Sequence, residues 1–103
     1  MARYSIEFRF SKKGEMRFIS HLDLMRLFMR AVRRAEIPVK MTEGFNPHPK
    51  ISIMRALKLG VESEHEEARI AMSMFISPPE FAAKLQKQLP KGITITDVKG
   101  NFN

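Results

Sequence analysis

The chain of 103 residues contains no cysteine and no tryptophan. Without cysteine it forms no disulfide, supplies no thiol nucleophile, and cannot hold zinc or an iron–sulfur cluster through thiolates. Long apolar runs and a secretory signal pattern are also missing, which argues against a membrane span and favours a cytoplasmic location. Hydrophobic residues make up 44% of the chain, enough for the core of a single domain over residues 1–103.

Basic residues outnumber acidic ones, with 18 Lys and Arg against 11 Asp and Glu and a net charge of +7. The excess lies in residues 1–58, which hold 13 basic and 5 acidic residues, whereas residues 59–103 hold 5 and 6. This charge predicts an anionic partner without choosing among RNA, DNA, an acidic protein and a phosphorylated small molecule.

Hydrophobic periodicity predicts six main elements. Residues 3–11 alternate as a strand does, and a helical pattern runs from Ser20 until Pro38 ends it. The remaining pattern predicts a strand at 39–41, an irregular segment at 44–49, short extended pieces at 51–54 and 56–61, a strand at 68–76, a helix from Pro78 and a strand at 92–98. The order predicts an α+β, ferredoxin-like β-α-β-β-α-β sandwich, with two helices on one face of an antiparallel sheet and an elaborated connection between strands two and three. Its central strands should be the first and third.

Basic residues are expected to converge at one edge of this sheet. A parallel crossover would bring together the loops that follow strands one and two. We therefore expect a single cationic rim at one edge, to which the first loop contributes Lys12, Lys13, Arg17, Ser20 and His21, the second loop residues 44–50, and the turn after the second helix Lys91 and Gly92. On the first helix, Arg26, Arg30, Arg33 and Arg34 fall within about 100° of arc, which suits phosphate binding and equally suits an ordinary solvated face.

The histidines allow more than one interpretation. Ser20 and Asp23 fit an N-cap rather than a catalytic relay, because consecutive helical residues do not face one another. His21 either packs as a structural histidine or joins the rim. Two prolines stiffen the segment around His48, so Gly44, Phe45, Asn46 and His48 form either a recognition loop or a long turn in which Phe45 caps the core. A metal site is disfavoured because the chain has no closely spaced ligand pair.

Two further patterns bear on function. The open face of the predicted sheet carries a single aromatic residue, Phe75, so base stacking across the sheet is disfavoured. Four glutamates lie around His65, namely Glu62, Glu64, Glu66 and Glu67. They predict a solvated turn, and the alternative is a docking point for a basic partner.

Several strings resemble a bacterial family of unknown function, the radical SAM-linked domain. They are Phe10–Gly14, Phe18–Arg26, Arg33–Ala35 with Ile37-Pro38, Gly44–Lys50 and Leu59–Ser63. The resemblance covers residues 2–98. Members are encoded beside or fused to a radical SAM protein, often near ribonuclease E/G genes. The resemblance thus implies an accessory role beside such a protein and is compatible with an RNA substrate, but it brings no established activity.

These observations lead to one main hypothesis and two alternatives. The main hypothesis is a non-catalytic module that binds RNA or recognises the substrate of a radical SAM protein, with no cofactor in this chain. Its phosphate contacts would be Lys12, Lys13, Arg17, Arg26, Arg30, Arg33, Arg34 and Lys50, and its recognition loop Gly44, Phe45, Asn46 and His48. The alternatives are a domain that docks to the radical SAM protein, and a small catalytic domain using His21 and His48 as acid and base.

Overall fold

The protein is described by a computed structural model over residues 3–54 and 59–103. Its elements are β1 (Tyr4–Lys12), a 3₁₀ turn (Gly14–Phe18), α1 (His21–Arg34), β2 (Ile51–Ile53), β3 (Ser63–Met72), α2 (Pro78–Gln86) and β4 (Ile93–Phe102). The four strands are antiparallel to their neighbours and lie in the order β2-β3-β1-β4. The ferredoxin-like α+β prediction is confirmed, and so is the central position of the first and third strands.

The core lies between one face of the sheet and the two helices. Alternate residues of β1 point into it, and the buried ring of Phe28 from α1 meets the rings of Phe8 and Phe10 at 5.5 and 5.1 Å. Phe81 of α2 lies 5.6 Å from Phe8. These aromatic contacts fix both helices on the same face of the sheet.

The helix start predicted at Ser20 is confirmed. Its hydroxyl accepts a hydrogen bond from the backbone N–H of Asp23 at 3.1 Å, which satisfies one of the free amides of the first turn. Ser77 caps α2 in the same way, because its hydroxyl accepts a hydrogen bond from the backbone N–H of Glu80 at 3.3 Å. None of the helices within the described residues is long and apolar enough to cross a membrane.

The prediction of a second strand at residues 39–41 is wrong. Val39 and Met41 form only isolated bridges, to Met72 and Pro49, and the strand beside β3 is β2. The backbone of Ala71 is hydrogen-bonded to both the 39–41 segment and the residue before β2. Its C=O accepts from the N–H of Lys40, and its N–H donates to the C=O of Lys50. The edge of β3 is therefore paired first with residues 39–41 and then with β2. The irregular segment of residues 42–49 lies before β2, whereas the prediction had it after the second strand.

Other boundaries also differ from the prediction. β3 begins at Ser63, so the predicted acidic turn is largely strand, and Glu66 within it is buried. The strand predicted to run to residue 76 ends at Met72, and Met74 beyond its end is exposed. β4 continues to Phe102. Part of the extended piece predicted at 56–61 lies outside the described residues, and Leu59 and Gly60 form a turn.

Candidate nucleic-acid interface

The end of β1 meets two other segments. The N–H of Lys13 donates to the C=O of Gly92 at 2.8 Å, and the N–H of Gly60 donates to the C=O of Arg17 at 2.6 Å. The predicted approach of Gly92 to the loop after β1 is thus confirmed. A turn that follows β2 also arrives here, instead of the Gly44–Lys50 segment that was expected.

Of the three lysines predicted at this end, Lys12 is buried and Lys13 is paired with an acid, whereas Lys91, next to Gly92, is exposed and has no ion pair among the described residues. The side chain of Lys12 is only 1% exposed, so it does not present its ammonium group on the surface. Lys13 forms an ion pair with Glu64 at 2.5 Å, which raises the pKa of Lys13 and lowers the pKa of Glu64. Glu62 accepts a hydrogen bond from the N–H of Gly14 at 2.8 Å. Two glutamates therefore offset the positive charge expected here.

The loop of residues 42–49 lies at the opposite end of the sheet, so the prediction of a single cationic rim is wrong. Lys50, at its exit, is bonded to Ala71, and Ala71 pairs with Ser5 near the start of β1. Ser5 and Lys12 are seven residues apart on one strand, a separation of about 23 Å. The connection through α1 does link two parallel strands, β1 and β2. Because the loop of residues 42–49 precedes β2, it lies beside the start of β1 and not beside its end.

The same geometry separates the two histidines proposed as acid and base. His21 begins α1 near the end of β1, seven residues before Phe28 in the middle of the core, whereas His48 belongs to the far loop. Roughly 20 Å of helix and strand lie between them. Both are exposed, so His21 is not the packed histidine that was one of its interpretations. They cannot act together on one substrate bond, and no group of three metal-ligating side chains occurs in the described part of the chain.

The four arginines of α1 form an exposed stripe, as predicted. Arg26 lies 3.6 Å from Asp23 in an i,i+3 ion pair. Among the described residues, no acid pairs with Arg30, Arg33 or Arg34. Three positive charges on one helix face are therefore available to an external anion.

A groove between the two helices extends this positive surface. It has a volume of about 380 Å³ and is lined by Leu27, Arg30, Ala31 and Arg34 of α1 and by Lys87 to Pro90 after α2. Three of the lining residues are cations and none is an acid. Lys87 was not among the residues predicted from the sequence. It follows directly after α2 and lines the groove opposite α1.

The open face of the sheet is charged but balanced. Arg69, Glu7 and Lys99 form one row across β3, β1 and β4, and Glu67, Arg9 and Asp97 form the next. Each charge thus has neighbours of opposite sign. Glu7 is hydrogen-bonded to Arg69, and Arg9 lies 3.4 Å from Glu67. The Arg69 guanidinium lowers the pKa of Glu7, with a smaller contribution from Lys99.

Phe75 does not lie on this open face. Its ring packs 5.1 Å from Tyr4 and 6.3 Å from Phe102 in an aromatic cluster at the start of β1. Tyr4 donates from its hydroxyl to the C=O of Ile76 at 2.8 Å, and burial raises the pKa of that hydroxyl. The sheet face therefore offers no aromatic platform within the described strands, and positive charge is concentrated on the helix layer.

The match to a protein-family model covers residues 5–101 and decides the family. That family is described as an uncharacterised protein conserved in bacteria, DUF2344. The chain belongs to the DUF2344 family. No curated protein and no solved structure gives a significant match. Membership in DUF2344 confirms a bacterial domain of unknown function and assigns no activity to the site.

Proposed function

We propose that this DUF2344 domain is a non-catalytic RNA-binding module that presents a substrate to a radical SAM protein. The observation that carries the proposal is the stripe of Arg30, Arg33 and Arg34, none of which has an acidic partner among the described residues. Guanidinium groups bind phosphates through two parallel hydrogen bonds, and a row of them matches a phosphate backbone. Lys87 across the groove and Arg26 one turn away extend the same positive surface.

The distribution of charge supports the helix layer as the binding face. On the sheet face Arg9 and Arg69 form ion pairs with Glu67 and Glu7, and Lys13 forms an ion pair with Glu64. An anion that bound there would have to compete with these carboxylates, whereas Arg30, Arg33 and Arg34 have no such competitor in residues 3–54 and 59–103. The proposed interface keeps Arg26, Arg30, Arg33, Arg34 and Lys50. It leaves out Lys12, which is buried, Lys13, which is paired with Glu64, and Arg17, whose guanidinium donates to the C=O of Gly14 and lies over the Phe18 ring.

The proposal is tested by measuring RNA affinity at several salt concentrations. Each phosphate contact contributes about 0.7 to 0.9 to the slope of log affinity against log salt. Arg33→Gln should lower this slope by about 1, and the triple variant at 30, 33 and 34 by roughly 2 to 3. Lys99→Gln removes the same charge from the opposite face and should leave the slope unchanged. Absence of RNA binding at low salt would contradict the proposal.

An exposed apolar cluster favours protein docking as a second function. Phe18, Leu59 and Val61 are exposed, and the turn at Gly60, between Leu59 and Val61, lies against the Phe18 ring. The Arg17 guanidinium lies 4.4 Å above that ring. Apolar side chains gathered in this way are typical of protein contacts. Phe18→Ser should weaken co-purification with the radical SAM protein after nuclease treatment, whereas Arg33→Gln should not.

A further inference from the structure

Phe45 is fully exposed at the tip of a loop that the rest of the chain holds in place. The N–H of Thr42 donates to the C=O of His48 at 2.8 Å, and the N–H of His48 donates to the Thr42 hydroxyl at 3.2 Å. Met41 and Pro49 form a bridge, and Pro49 is buried. The loop is thus closed by its own hydrogen bonds and anchored at its base, while its largest apolar side chain points into solvent. This excludes the alternative in which Phe45 caps the core.

Two lysines flank the base of this loop. Lys40 and Lys50 are exposed, and the N–H of Lys50 donates to the C=O of Lys40 at 2.8 Å, which holds the two backbones side by side. In the described structure neither lysine has an ion pair. The loop itself contains one acid, Glu43. An exposed aromatic ring on a loop with cations at its base is suited to single-stranded nucleic acids, with a base stacked on the ring and phosphates bound by the cations.

The loop also lies at the C-terminal end of the arginine stripe. Val39, five residues after Arg34, is bridged to Met72 at the edge where the loop begins. Five residues span at most about 18 Å, which is the length of a few nucleotides of extended chain. The base of the loop is therefore close enough to Arg34 for one extended strand of RNA to contact both the end of the stripe and the loop.

We propose that an unpaired base of single-stranded RNA stacks on Phe45 while the flanking phosphates bind Lys40, Lys50 and the end of the α1 stripe. This inference rests on the proposed function and names the substrate class. A base inside a duplex is stacked on its neighbours and cannot cover an isolated ring, so the ligand needs an unpaired nucleotide. Stacking on an aromatic ring is tolerant of sequence, and all four bases should bind.

The absence of tryptophan from the chain makes the test direct. In Phe45→Trp the new indole is the only tryptophan, and its fluorescence should be quenched in a saturable way by an oligouridine of about ten nucleotides. Phe18→Trp, at the other end of the sheet and also exposed, is the matched control and should not be quenched. Phe45→Ala should weaken binding of this oligonucleotide by at least about fivefold while changing the affinity for a blunt RNA duplex by less than about twofold.

The possible outcomes distinguish stacking on Phe45 from the proposed RNA-binding function. Quenching confined to Phe45→Trp, together with a selective loss in Phe45→Ala, supports both. RNA binding with no change in the Phe45→Trp emission and no loss in Phe45→Ala overturns the stacking on Phe45 and leaves the RNA-binding proposal standing. If neither RNA form binds at low salt, both proposals are overturned.

Discussion

Glu7 shows how single side chains decide which face of the sheet stays neutral. It sits in β1 between Arg69 and Lys99, and its carboxylate is hydrogen-bonded to Arg69. The pKa of Glu7 is lowered chiefly by that hydrogen bond. A lowered folded-state pKa means that the ion pair stabilises the fold above the unfolded pKa, and that this stability is lost as pH falls through the folded value.

The pair gives a pH-dependent prediction. Arg69→Gln should reduce the free energy of unfolding by up to about 1 kcal/mol at neutral pH, because the pair is partly exposed. The difference from the wild type should shrink as pH falls below the ordinary pKa of Glu7 and vanish once Glu7 is protonated. Urea unfolding between neutral and acidic pH measures it, and Lys87→Gln, a cation without an ion pair in the described chain, is the control. A difference that persists at acidic pH would show that Arg69 acts by packing instead.

The end of β1 and the start of β4 meet at a close backbone contact that requires glycine at position 92. Gly92, before β4, has a φ of +101°, and a Cβ there would collide with the C=O oxygen of Lys13 and lie 3.0 Å from Cγ of Met16. The same backbone accepts the hydrogen bond from Lys13 that joins the end of β1 to the start of β4. This close approach requires both a left-handed conformation and the absence of a side chain.

Gly92→Ala should therefore be more destabilising than a glycine replacement that brings strain alone. We expect a loss of about 2–4 kcal/mol in the free energy of unfolding, combining backbone strain with displacement of a neighbouring carbonyl. Gly44 is the matched control, because it has a φ of +127° and open space where a Cβ would be added. Gly44→Ala should cost about 1–2 kcal/mol. Equal losses in chemical denaturation would contradict the steric part of this account.

Periodicity predicted those elements whose pattern is local. β1 alternates and α1 has a capped, amphipathic sequence, so both were predicted close to their observed bounds. The second strand was misplaced because residues 39–41 and 51–53 are both extended and both bond to the edge of β3. Which of them continues as a strand is decided by pairing with residues about twenty positions or more away, and no local pattern contains that information.

The candidate site was also predictable only where it depends on a local sequence pattern. The arginine stripe follows from helical spacing alone, and its arginines are exposed as expected. The prediction of the rim was wrong because it depended on the position of β2. The neutralisation of Lys13 was also missed, since its partner Glu64 is 51 residues away in sequence. Long-range partners of this kind follow from the register of β1 and β3, which the sequence pattern leaves open.

The molecule as a whole separates a packed aromatic core from an exposed aromatic tip. Phe28→Ala should cost about 3–5 kcal/mol, because Phe28 is fully buried against two other rings. Small domains are stable by only 5–15 kcal/mol, roughly, so much of the fold's stability depends on this one side chain. Phe45→Ala should change stability by about 0.5 kcal/mol or less. Thermal unfolding of the two variants measures the contrast, and a large loss in Phe45→Ala would mean that the loop belongs to the core.

The alternating charges on the sheet face give the molecule a preferred direction of approach to a polyanion. Opposite charges in adjacent rows cancel within a few ångströms, and at physiological salt the remaining field fades over about 8 Å. A phosphate chain arriving from that side meets almost no attraction, whereas one arriving over α1 is drawn in. In the proposed RNA-binding function, encounters would thereby be oriented before any contact forms, and the balanced face would contribute to recognition by attracting no anion.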